Sequence, residues 1–154
     1  MSRKRCKRKV WSTSIDAVAH AIAGAAIADS KSLDKIRLCE LSAIDSMTKG
    51  VGTTEDWRWI ADFLNISEMM ANNGIGPEVL PYCEEAQKAL LEAKERYDKL
   101  GKMGLSGTGI KAIKELWEYH DIQRTSIPRS EYEKMIRKTA NYVRSHGKNV
   151  VEVV

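Results

Sequence analysis

The sequence contains no C-x-x-C pair, and its three cysteines, Cys6, Cys39 and Cys83, lie far apart. Three scattered thiols build neither a zinc site nor a disulfide framework. Cys39 and Cys83 read instead as small apolar residues in a reducing compartment. Long hydrophobic runs are also missing. The most apolar stretch, "AVAHAIAGAAIA", has 12 residues and includes His20, whereas a membrane span takes about 20. No apolar h-region follows the basic start, so that start does not read as a secretory signal, and the expectation is a cytoplasmic protein without membrane contact. No internal repeat is visible.

Catalytic motifs fail on their details. Gly104 and Gly109 have the spacing of a phosphate-binding loop. Ile110 and Lys111 then stand where that loop needs Lys and Ser/Thr, and the preceding segment reads as a helix, not a strand. His120-Asp121 suggests the metal-dependent HD phosphohydrolases, with His20 as an upstream ligand, yet no Asp follows Asp121. His120 is better read as a hydrogen-bonded core or interface histidine. His146 suits the negative end of a helix. No nucleophile has a base beside it and no carboxylate pair stands out. The sequence therefore predicts a non-enzyme with no catalytic residue, metal site or cofactor.

What is present is helical periodicity. At 154 residues and 43% hydrophobic content, the chain suits one domain with a substantial core. The expected division is a basic arm over 1–11, a helical domain over 12–147 and a strand-like tail over 148–154. The expected fold class is all-α, with five or six helices and short strand-like segments at both termini. Helix signals run through "IDAVAHAIAGAAIA", "SLDKIRLCELSAIDSMTKG" (apolar face Leu33, Ile36, Leu41, Ile44, Met47) and "TTEDWRWIADFLNISEMMANNG" (Trp57, Ile60, Ala61, Leu64). They continue through "PYCEEAQKALLEAKERYDKLG", with a seam at Cys83, Ala86, Leu90, Ala93, Tyr97 and Leu100 that resembles coiled-coil spacing. "GKMGLSGTG" reads as a flexible connector. "IKAIKELWEYHDIQR" carries the stripe Ile110, Ile113, Trp117, His120. In "SEYEKMIRKTANYVRSHG", Ser130 and Glu133 form a candidate capping box, with Pro128 as a possible earlier start. "KVW" and "VVEVV" are the strand signals. Trp11, Val150, Val151, Val153 and Val154 are candidate oligomer contacts, the strands pairing with each other or with a neighbouring subunit to give at least a dimer.

Charge is concentrated. Six of the seven residues 3–9 are cations, namely Arg3, Lys4, Arg5, Lys7, Arg8 and Lys9, while the remainder of the chain is close to neutral. Such an arm binds polyanions without reading sequence. A second excess lies near the C-terminus: Arg124, Arg129, Lys134, Arg137, Lys138, Arg144 and Lys148 against Glu131 and Glu133. Arg137, Arg144 and Lys148 fall on one side of a helix. Trp57 and Trp59 diverge by about 200° on a helix, so one is a core residue and the other meets a second element or a partner. Arg58, Trp59, Arg124, Arg137 and Arg144, with the arm, are the candidate residues for an anionic partner, and a concave basic and aromatic pocket involving Arg58, Trp59, Arg124 or Arg137 is expected.

"SRKRCKRKVW", the "AHAIAGA" segment, "NGIGPE", "EYHDIQR" and "IPRSEYEKMI" together resemble an uncharacterised group of small proteins encoded by tailed phages of Proteobacteria. That group has no assigned activity and carries no functional residues to transfer. The resemblance implies a phage gene expressed in a bacterial cytoplasm. The expected function is binding of an anionic partner (a nucleotide signal, a nucleic acid or an acidic face of a host protein) in host takeover or counter-defence. The alternative is a structural or assembly protein acting through oligomerisation.

Overall fold

The structure is a computed structural model and describes residues 10–11, 30–145 and 150–151. Within them the chain is an all-α domain of five helices: α1 (Ser30–Thr48), α2 (Thr54–Asn72), α3 (Leu80–Leu100), α4 (Gly107–Thr125) and α5 (Arg129–Ser145). A 3-10 turn, Pro77–Val79, leads into α3. Two short strands, β1 (Val10–Trp11) and β2 (Val150–Val151), pair in parallel, Val10 opposite Val150 and Trp11 opposite Val151. This pairing lies within one chain and calls for no second copy. The "IDAVAHAIAGAAIA" segment, Arg3–Lys9, Val153 and Val154 lie outside the described residues.

Helix α2 is the axis of the domain. Thr53 caps it by a reciprocal box: its hydroxyl accepts from the Asp56 N–H, and the Asp56 carboxylate accepts from the Thr53 N–H, so two orphan donors of the first turn are satisfied. The sequence shows one apolar side on this helix, but all residues from Ile60 to Ser67 are buried, because α1, α3, α4 and α5 each meet it. Two hydrophobic clusters result. The larger joins Ile44, Met47, Trp57, Ile60, Leu64, Cys83, Leu90, Ile113 and Leu116. The smaller joins Ile36, Ile66, Met70, Tyr132, Met135 and Ile136. Trp59 packs against both.

Several local expectations change, and Leu100, expected in the α3 seam, is exposed. Leu41 is 44% exposed, and Glu40 takes the inward position beside Ala43 and Ile44. Ser130 and Glu133 do not form a box: Arg129 binds Glu133 at 2.9 Å, and Pro128 starts the helix, its carbonyl accepting from the Glu131 and Tyr132 amides.

The connector 101–106 is packed, not flexible. Met103 and Leu105 are buried. The Gly52 N–H donates to the Met103 carbonyl at 3.1 Å and the Leu105 N–H to the Met47 carbonyl at 3.0 Å. Gly104 fits only because it has no side chain: a Cβ there would sit 2.9 Å from the Gly50 Cα. Overpacking against backbone costs about 1–3 kcal/mol, so Gly104→Ala is expected to lower stability by that amount. Gly107→Ala, where a Cβ meets nothing within 4 Å, is expected to leave the urea midpoint nearly unchanged. Equal midpoints for the two variants would contradict the close approach.

Candidate functional site

Among the described residues, charged side chains stand out in an ionic network inside the bundle and on a basic outer face of α5. The network begins with Glu40 and Arg124, whose side chains are 3% and 0% exposed. The guanidinium donates from Nη1 to Glu40 Oε1 at 2.9 Å and from Nη2 to Oε2 at 2.8 Å, a bidentate pair. The Trp117 indole donates to the same carboxylate at 2.8 Å. Arg124 Nε donates to Asp121 at 2.8 Å, and Arg37 grips Asp121 at 2.8 and 3.1 Å. Burial opposes the charge on Arg124, but Glu40 outweighs it and raises its pKa. Burial also opposes the charge on Asp121, and the hydrogen bonds from Arg37 and Arg124 prevail and lower its pKa. Each charge here has an opposite charge beside it within the fold, so the network fastens α1 to α4.

The sequence candidates therefore separate. Arg124 is internal and is corrected from a binding residue to a structural one, because the apolar stripe of α4 turns it inward onto Glu40. Arg58 and Trp59 are half-buried on α2, with Trp59 between the two clusters. Trp57 is the core tryptophan, fully buried, its indole donating to the Leu90 carbonyl at 3.0 Å. Arg137 and Arg144 are exposed on α5. Arg58, Trp59, Arg124 and Arg137 therefore do not converge, since Arg124 is inside the bundle and Arg137 is exposed on α5. The structure adds Glu40 and Arg37, which sequence reasoning missed. A glutamate at the centre of an apolar helical face was the available signal.

The His120-Asp121 pair serves packing. His120 is fully buried, stacked on Phe63 at 5.8 Å between ring centroids, with Nε2 3.4 Å from the Tyr132 hydroxyl. Its Nδ1 has no partner at hydrogen-bond geometry; the adjacent Gln123 amide is committed to Ser67 and the Ile75 carbonyl. Burial first, and the Arg124 charge second, hold the imidazole pKa well below its ordinary value. Burial also pushes the Tyr132 phenol up to about 12. The unfolded chain therefore takes up the His120 proton first, near pH 6.5. The stability this group contributes is complete above that pH and falls as the pH drops below it. Asp121, whose pKa is lowered, adds its own loss only below about pH 4. His120→Phe is expected to flatten the decline of the urea midpoint between pH 7.5 and 5; an unchanged slope would exclude His120 as its source.

The outer face of α5 has the opposite character. Ser130, Lys134, Arg137, Lys138, Asn141, Arg144 and Ser145 are exposed. They fall within an arc of about 120° at the helical period, opposite buried Tyr132, Met135, Ile136, Thr139 and Ala140. No acid lies in that arc. Glu131 and Glu133 sit beside it, Glu133 already bound to Arg129. Lys138 reaches Asn73 at the end of α2, 2.5 Å away.

Between α1 and α4 runs a shallow groove of about 250 Å³ lined by Leu41, Ile44, Asp45, Thr48, Lys114, Trp117 and Glu118. Exposed Leu38 and Ile122 lie on the same two helices. Among the described residues no three His, Cys, Asp or Glu side chains gather as a metal site, and no helix is long and apolar enough to cross a membrane. No known family, curated protein or solved structure matches the chain.

Proposed function

We propose that the protein is a non-enzymatic binding protein that holds an anionic partner on the outer face of α5. The observation that carries this reading is the acid-free exposed arc with Lys134, Arg137, Lys138 and Arg144. Elsewhere on the helical surface the charges alternate. On α3, Lys88 pairs with Glu85 and Lys94 with Asp98, and on α4 Lys111 pairs with Glu115. A field of one sign attracts and retains polyanions where mixed charge does not. The six-cation arm over residues 3–9 lies outside the described residues and enters this proposal from the sequence alone, as a second and non-specific source of affinity. Within the setting that the phage resemblance implies, the protein acts in host takeover or counter-defence in a bacterial cytoplasm.

The test is elution from immobilised heparin. R137E/K138E/R144E is expected to elute at clearly lower salt than the unmodified chain. Its melting temperature should stay close to the original, since exposed substitutions rarely exceed about 0.5 kcal/mol. Elution at unchanged salt would end this reading. The second reading, assembly through oligomerisation, draws on Leu38, Leu41 and Ile122 beside the α1–α4 groove. A native mass equal to one chain at high protein concentration would remove it.

A further inference from the structure

The α5 face also limits what kind of anion it suits, an inference that rests on the anion-binding reading above. Three occupants are chemically open: a small nucleotide, an acidic protein surface and the phosphate backbone of a nucleic acid. Small-ligand sites are concave and enclose most of their ligand. The α5 face is the convex side of a helix whose main packing partner is α2. Protein interfaces are anchored by apolar and aromatic side chains near their centre. The centre of this arc is Asn141; Tyr142, the exposed aromatic of α5, falls about 40° beyond the Lys138 edge of the arc, and the exposed leucines and isoleucine lie on α1, α3 and α4.

The distribution of cations within the arc is specific. At 100° per residue, Lys134 and Lys138 lie towards one side of the arc, Arg137 and Arg144 lie on the other, and Asn141 runs between them. Lys134 to Arg144 spans about 15 Å along the axis. A helix about 10–12 Å across fits the major groove of a duplex, about 12 Å wide. Placed there, its two flanks face the two phosphate walls and its polar centre faces the base edges. We propose that α5 docks in the major groove of a nucleic-acid duplex, with Lys134 and Lys138 on one phosphate wall and Arg137 and Arg144 on the other. Four phosphate contacts and only the short Ser130 and Asn141 side chains in the middle give affinity with little base discrimination.

The experiment uses the full chain and a 20-base-pair duplex, with binding measured by anisotropy across a salt series. Three variants are compared with the unmodified protein: K134E/K138E, R137E/R144E and the four together. Any contribution of Arg3–Lys9 is common to all and cancels in the differences. At about 0.9 per phosphate on a duplex, each pair is expected to reduce the steepness of log K against log salt by about 2, and all four by about 3–4. Two duplexes of unrelated sequence should bind within a few-fold of each other. Polyglutamate of matched charge and a free mononucleotide should bind far more weakly.

Polyglutamate binding as tightly as duplex, with the same sensitivity to the variants, would overturn the duplex assignment and leave the anion-binding reading standing. Saturable mononucleotide binding at α5 would do the same. A single strand of matched phosphate number bound more tightly than the duplex, or sensitivity confined to one flank, would overturn the groove geometry. Slopes unmoved by every variant would overturn both proposals. Circular dichroism of each variant separates these outcomes from loss of fold.

Discussion

Glu40→Ala is expected to lower the unfolding free energy by about 3–5 kcal/mol, the cost of leaving one member of a buried ion pair without its partner. The Arg124 guanidinium is fully buried and donates two of its hydrogen bonds to Glu40. The Trp117 indole loses its acceptor in the same substitution. Asp121 remains on Nε, but it is shared with Arg37 and cannot reach the other two nitrogens in place of Glu40. The double replacement E40L/R124M removes both charges together and should recover most of the loss, because an apolar pair of similar volume carries no desolvation cost. Urea denaturation followed by tryptophan fluorescence reads both. A Glu40→Ala protein within 1 kcal/mol of the original would mean that water reaches Arg124.

Trp57→Ala should be comparably severe. Trp57 has no exposed surface and lies in the larger cluster with Ile60, Leu64, Leu90 and Ile113. Truncating a buried tryptophan costs about 3–5 kcal/mol through lost transfer energy and the cavity left behind. The Leu90 carbonyl also loses the indole donor. Trp57→Phe keeps most of the volume and should cost much less. Trp59→Ala, half-buried between the clusters, should fall between these two. The ordering Trp57→Ala, Trp59→Ala, Trp57→Phe in chemical denaturation midpoints is the test, and a reversal of the first two would place the core elsewhere.

The helices were legible where apolar period and caps agree. Thr53, Gly74, Pro81 and the Cys83–Leu90–Ala93 seam locate α2 and α3 closely. Legibility failed where a residue's environment depends on a distant partner. Arg124 read as a cation for an anionic partner and Glu40 drew no reading, because a single helix does not show that they meet across 84 positions of chain. Leu41 was placed inside for the complementary reason, since Glu40 occupies the inward place. The segment 101–106 looked loose because glycine permits either freedom or close approach, and only the neighbouring Gly50 decides between them. The α5 cations were visible in the sequence. What the fold adds is that Lys134 and Lys138 share an open face with Arg137 and Arg144, while Arg124 does not.

The partition of the interior into two clusters bears on how the molecule breathes. Helix α5 contributes Tyr132, Met135 and Ile136 to the smaller cluster and none of the residues of the larger one. Cooperative units of native proteins follow such contact boundaries and open at different free energies. The amides of α5 are therefore expected to exchange with solvent deuterium through a sub-global opening that leaves Trp57 and its neighbours packed, while those of α2 and α3 wait for the whole domain to unfold. A partner seated on the outside of α5 holds that helix closed. Its binding free energy is then expected to register as slowed exchange in α5, with the larger core unchanged.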